Sequence, residues 1–174
     1  MNQHIPHEGK DKLLEPIIIP STATKRALYK QSLKEIQMRI KDVDSLVSRM
    51  ATIVSVLRSN LSYYFWCGFY FAEEKELIIG PYQGSTACAH ISYDGVCGTA
   101  AKNKKTLIVP NVHDFPGHIA CDERSNSEIV VPFIGEQNMV IAVLDIDSTV
   151  FSAFDEVDKE CLEQLIIPVL REGS

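Results

Sequence analysis

The chain has 174 residues, 45% hydrophobic and 23% charged, and its 17 Lys and Arg against 23 Asp and Glu leave a formal net charge of −6. This is the size of one ordinary domain, able to bury about two-thirds of its unfolded surface without a disulfide or metal staple. The acidic balance argues against a nucleic-acid binder, and no run approaches the roughly 18–20 apolar residues of a membrane helix.

The first sixteen residues, MNQHIPHEGKDKLLEP, lack the apolar centre of a secretory signal, so a cytosolic location is expected. Residues 1–20 read as an extension and 21–174 as one domain. From Ser21 the pattern turns helical, with Leu28, Leu33, Ile36 and Ile40 at intervals of three to five and Ser21 or Thr22 available as a cap. A second amphipathic segment runs from about Val43 to Leu57, its stripe formed by Leu46, Val47, Met50, Ile53, Val54 and Leu57. YYFWCGFYF (63–71) and LIIGPYQG (77–84) read as strands around a polar turn. The stretch 85–90 is ambiguous, 95–102 suits a short helix, and TLIVP (106–110) a strand. A long loop, 111–127, is dense in His, Asp, Cys and Ser. Two strands, 128–134 and 139–147, then pair as a hairpin, and a helix from about Asp155 to Leu165 closes the chain. Helices, an antiparallel sheet with a loop-rich insertion and a final helix make an α+β fold. A loop this long inside a compact domain is usually functional.

Strand alternation sorts the candidate residues. In YYFWCGFYF it places Trp66, Gly68 and Tyr70 on one face, and Cys67, Phe69 and Phe71 on the other, core-like face. Two readings stand for the first set: aromatics flanking a notch over Gly68 that suits a methyl or thioether, or aromatics packed under the N-terminal helices. In MVIAVLDID, Ile141, Val143, Asp145 and Asp147 share a face. Two carboxylates there are costly unless solvated, paired or used. In a pocket, with Glu128 joining from the partner strand, one would stay ionised while another holds a proton. An exposed sheet rim or helix capping is the alternative.

Five cysteines is an odd count with no Cys-x-x-Cys, which disfavours a disulfide scaffold, a thioredoxin motif and a zinc ribbon. Cys67 and Cys161 fall in strand and helix pattern as small hydrophobes. Cys88, Cys97 and Cys121 lie in loop-like sequence, where a thiol near His118 or at a helix N-terminus becomes reactive. A zinc set of Cys97, His113, His118 and Cys121 has spacing that matches no common finger, and no metal or cofactor is expected. Nucleotide-binding glycine motifs and Gly-x-Ser-x-Gly are absent.

Several strings together resemble the free methionine-(R)-sulfoxide reductases, a family built on the GAF domain. They are WCGFY (66–70), GPYQG (80–84), GVCGTA (95–100), VHDFPGHIACD (112–122), SNSEIV (125–130) and VLDIDS (143–148). The resemblance covers about residues 25–168, and GHIACD with VLDIDS and three interleaved cysteines is more specific than a general GAF match, since most GAF domains are sensors without these thiols.

The resemblance implies a single GAF domain that reduces free L-methionine-(R)-S-oxide to L-methionine through a cysteine sulfenic acid and an intramolecular disulfide recycled by thioredoxin. Cys121 corresponds to the nucleophile and Cys88 to the resolving cysteine. Cys97 corresponds to a third cysteine given either role. Trp66 and Tyr70 correspond to aromatics around the substrate methyl. Glu128, Asp145 and Asp147 correspond to acids around the sulfoxide and amino group, serving both binding and proton supply. A homodimer packed partly through the N-terminal helices is also implied. One departure stands out: the segment from Cys88 to Cys97 is one residue shorter than the usual spacing, and His90 stands where many members have a basic residue.

Overall fold

The computed structural model describes residues 17–118 and 121–171. Most of the expected extension, residues 1–16, lies outside the described residues, as do Ile119 and Ala120 of the GHIACD string and residues 172–174.

Two helices open the fold, α1 (Thr22–Ile40) and α2 (Leu46–Asn60). Each is capped by a serine: Ser21 and Ser45 accept from the amides of Thr24 and Ser48, satisfying donors that a helix start leaves free. The buried stripe of α1 is Lys25, Tyr29, Ser32, Ile36 and Ile40, while Leu28 and Leu33 flank it half-buried. On α2, Arg49 and Val56 join the buried face and Val47 stands 52% exposed, a correction to the expected stripe.

The strands are β1 (Trp66–Ala72), β2 (Leu77–Gln83), β3 (His90–Ile91), β4 (Leu107–Val109), β5 (Ser127–Ile134) and β6 (Val140–Ser148). Helix α3 (Val96–Asn103) precedes β4, and α4 (Glu156–Arg171) ends the described chain. All pairings are antiparallel, in the order β3-β2-β1-β6-β5-β4. Strand β1 starts later than its aromatic run because Tyr63 and Tyr64 turn into the core instead, both fully buried. In β2 the register against β1 slips by one residue opposite Phe69, at Gly80-Pro81. A bulge of this kind lets a proline sit inside a strand.

The two sheet faces carry separate apolar clusters. Cys67, Phe69, Leu144, Ile146 and Ile129 face α1, α2 and α4. Trp66, Tyr70, Val130 and Val143 face α3 and the loops. Cys161 packs against the first cluster but is half-buried, less enclosed than its helical pattern predicts. Among the described residues no helix is long and apolar enough to cross a membrane.

Candidate active site

The second face of the sheet is where the sequence-predicted residues meet. Register aligns them in rows across three strands: Trp66 of β1 opposite Asp147 of β6, itself opposite Glu128 of β5, and in the next row Gly68, Asp145 and Val130. Tyr70 and Val143 form the third row. These side chains floor a pocket of roughly 630 Å³ including its open mouth. Its walls are the segment after β2, the start of α3 with Cys97, and His118, Cys121, Asp122 and Ser125 from the loop before β5.

Glycine at position 68 follows from close approach. A Cβ there would stand 2.3 Å from Cη2 of Trp66 and 2.5 Å from Cβ of Tyr82. The indole itself therefore lies across Gly68, stacked between Tyr70 and Tyr82 at centroid separations of 5.9 and 5.5 Å. This corrects the expected notch: its space is filled by Trp66, which presents its ring as a wall of the pocket. Both aromatics also hold the segment after β2. Trp66 Nε1 donates to the Ser85 carbonyl at 3.1 Å, and the Tyr70 hydroxyl donates to the Cys88 carbonyl at 3.1 Å.

The carboxylates are neither rim nor cap. Glu128 and Asp145 are 4% and 7% exposed, and burial raises the pKa of all three acids. Glu128 and Asp147 are pushed well up by burial and then by the charge of Asp145. Asp145 rises only to about 6, since hydrogen bonds from Glu128, Cys97 and the Ile146 backbone favour its charged form. Burial thus favours the protonated form of Glu128 and Asp147 and leaves Asp145 the most readily ionised of the three. One oxygen of Asp145, Oδ1, is buried without a hydrogen-bond partner.

Cys97 donates from Sγ to Glu128 Oε1 at 3.7 Å, and burial with three acids nearby pushes its thiol well up. It is a protonated thiol at the pocket floor. Cys88 and Cys121 form a disulfide with Cα atoms 5.6 Å apart. The shortened Cys88–Cys97 segment thus still brings Cys88 to Cys121, while His90 turns outward to Glu76 at 3.1 Å. His118 approaches Glu128 at 3.9 Å; burial lowers the pKa of the imidazole, so it is neutral near pH 7 and this is no ion pair.

The zinc set weighed from sequence is not assembled. The Cys121 sulfur is in the disulfide, and His113 bonds Asn126 beside the ring of Phe151. Another set does converge among the described residues: donor atoms of Cys97, Glu128 and Asp145 lie within 4.8 Å of one another. One sulfur and two carboxylates could hold a divalent ion.

Sequence reasoning passed over Ser85, Asp122 and Arg124. Ser85 Oγ donates to Asp122 Oδ2 at 2.7 Å, and Arg124 grips the same carboxylate through its backbone amide and guanidinium. Asp122 follows Cys121 directly within a string already singled out, but Ser85 lies in the stretch that sequence left ambiguous.

The GAF domain family matches residues 41–166. A free methionine-R-sulfoxide reductase of Escherichia coli is 45% identical over 123 residues, covering 70% of this chain and 74% of that protein. One of Saccharomyces cerevisiae is 53% identical over 104 residues, 58% of either chain. The X-ray structure of free methionine-R-sulfoxide reductase from Neisseria meningitidis in complex with its substrate superposes with a TM-score of 0.81 at 35% identity, over 91% of this chain and 94% of that one. The chain belongs to the GAF-domain family and is closely related to the free methionine-R-sulfoxide reductases.

Proposed function

We propose that the chain reduces free methionine-(R)-sulfoxide to methionine by thiol chemistry. The observation that carries the reading is a Cys88–Cys121 disulfide beside a pocket that joins a tryptophan wall to two buried acids, Glu128 and Asp145, and the half-buried Asp147. In the reduced enzyme the Cys121 thiolate attacks the sulfoxide sulfur. The oxygen passes to Cys121 as a sulfenic acid and methionine leaves. Glu128, neutral through burial, supplies the proton to the departing oxygen, with Asp147 as the neighbouring acid. Ionised Asp145 attracts the substrate ammonium, a charge that a residue inside a peptide lacks. Trp66 and Tyr70 enclose the methyl end.

Cys88 then condenses with the sulfenic acid, and thioredoxin reduces the disulfide by exchange. Both cysteines of that bond are half-buried, which leaves them within reach of an external dithiol. Cys97, held protonated against Glu128, is poorly suited to be the nucleophile, since the thiolate is the attacking form. No cofactor enters the cycle. The proposal keeps residues 1–20 as an extension to a domain over 21–174. It also includes a homodimer through α1 and α2, on whose outer faces Met38 and Val47 are 66% and 52% exposed.

The decisive assay is steady-state turnover of each free methionine sulfoxide epimer with a thioredoxin recycling system. Activity confined to the R epimer is expected, and no activity on it overturns the reading. Cys121→Ser abolishes even first-turnover methionine, whereas a normal first turnover would transfer the nucleophile role to Cys97. Cys88→Ser yields one methionine per enzyme with poor recycling.

A further inference from the structure

The segments that carry Cys88 and Cys121 are joined by more than sulfur. Trp66 and Tyr70 tie Ser85 and Cys88 by their carbonyls, but both of those ties run to β1, on the same side of the pocket. The bond from Ser85 Oγ to Asp122 Oδ2 crosses to the other side. It connects positions three residues before one disulfide cysteine and one residue after the other.

Its acceptor is fixed in place. Asp122 Oδ1 accepts from the Arg124 amide at 3.0 Å and from Nε at 2.9 Å, and Oδ2 from the second guanidinium nitrogen at 2.7 Å. The guanidinium lies 4.7 Å above the ring of Phe65, whose amide is bonded to the Asp147 carbonyl. Asp122 is thereby keyed to the end of β1 and β6 at the pocket rim. Arg124, then Ser85, hold its carboxyl well below the usual carboxylate range, so the bond to Ser85 is charge-assisted.

We propose that Ser85 and Asp122 form a clasp that keeps the two cysteine segments together while no disulfide joins them, making Ser85, Asp122 and Arg124 positioning residues for disulfide closure. The inference rests on the roles of Cys121 and Cys88 proposed above. Closure condenses a sulfenic acid with a thiol: the S–O bond breaks, the S–S bond forms, and the hydroxyl leaves with the thiol proton as water. Its rate depends on the effective concentration of one sulfur at the other, which a released segment dilutes. The clasp uses no sulfur, so it persists through the reduced half of the cycle. There the sulfenic acid is otherwise open to further oxidation.

The test follows closure after a single oxidation of the reduced full chain. One arm uses one equivalent of free methionine-(R)-sulfoxide and the other hydrogen peroxide, with remaining thiols counted by alkylation and sulfenic acid trapped with dimedone. In Ser85→Ala, closure slows about tenfold, the size of a lost hydrogen bond to a charged group, and a dimedone adduct accumulates on Cys121. Arg124→Ala gives a smaller slowing, and Ser85→Thr, which keeps the hydroxyl, restores closure. Wild-type closure rates in Ser85→Ala overturn the clasp. Equal slowing by Ser85→Thr and Ser85→Ala also overturns it, by assigning the effect to packing. If the wild type releases no methionine, the functional reading fails instead, and the peroxide arm still decides the clasp.

Discussion

Asp145 occupies the middle of the polar face, opposite Gly68 on one side and Val130 on the other. Burial lifts its pKa from 3.8 to about 6, because the hydrogen bonds from Glu128, Cys97 and the Ile146 backbone offset only part of the desolvation. Such a group binds more protons in the fold than in the unfolded chain. Its favourable contribution is therefore complete below the unfolded pKa and is lost as pH rises through the folded one. Between about pH 4 and pH 6 the wild type should lose stability on the order of 2–3 kcal/mol from this residue. Asp145→Asn, which keeps an acceptor for Glu128 and Cys97, removes that decline. Urea midpoints at pH 4 and pH 7.5 measure it: the variant should match wild type at the lower pH and exceed it at the higher. A parallel pH dependence in both proteins would remove the ionised Asp145 from the account. The alternation of VLDID already placed the two aspartates on one face. What it could not give was the register of three strands, and so which residue stands opposite each acid. Gly68 had the same limit, because strand pattern predicts a space there but not that the indole of Trp66 folds back to fill it.

Helix α1 illustrates how a polar network can displace a hydrophobic stripe. Lys25, Tyr29 and Ser32 are buried at positions where an apolar pattern would have leucines, and Leu28 and Leu33 are shifted to the flanks. The cause lies at the far end of the chain. Asp158, fully buried at the start of α4, accepts from Tyr29 at 2.8 Å and Tyr63 at 2.5 Å, and pairs with Lys25. Lys25 also donates to Asp155 and the Ala153 carbonyl, both at 3.0 Å. That α1 and α2 are helices, with Ser21 among the cap candidates of the first, is local and legible; a lysine satisfied by groups 128 to 133 residues away is not. Removing one member of such a pair leaves a buried charge uncompensated, which typically costs about 3–5 kcal/mol. Because Asp158 keeps two tyrosine donors and the Asp155 amide, Lys25→Met should fall near the lower end of that range. Adding Asp158→Asn should recover part of the loss. Denaturant midpoints of the two single variants and the double variant close the cycle, and strict additivity would show that the two residues do not act as a pair.

At the scale of the whole molecule the sheet order explains why the site is where it is. In the series β3-β2-β1-β6-β5-β4, the segment after β2 and the segment before β5 lie on opposite sides of the central β1–β6 pair. Residues of both segments line the pocket over the polar floor, and the Cys88–Cys121 disulfide joins the two segments there. The loop-like setting of Cys88 and Cys121 is visible in sequence and makes them candidate reactive thiols. The pairing itself came only with the resemblance, because it depends on two loops converging over strands that neither of them belongs to. That geometry has a thermodynamic consequence. The bond spans 33 residues and ties together parts of the fold that meet only when the whole sheet has formed. In the loop-closure account it should stabilise the oxidised form by up to about 3–4 kcal/mol relative to the reduced one, which for a chain of this size is roughly 10 °C in Tm. By linkage, the same free energy makes the disulfide harder to reduce in the folded protein than in the unfolded chain, so recycling depends on the half-buried sulfurs remaining within reach of a dithiol. Thermal unfolding with and without dithiothreitol should show this shift in the wild type and none in Cys88→Ser. A wild-type melting temperature indifferent to reductant would mean that the bond does not constrain the two halves of the sheet, and that the pocket is held closed by its hydrogen bonds alone.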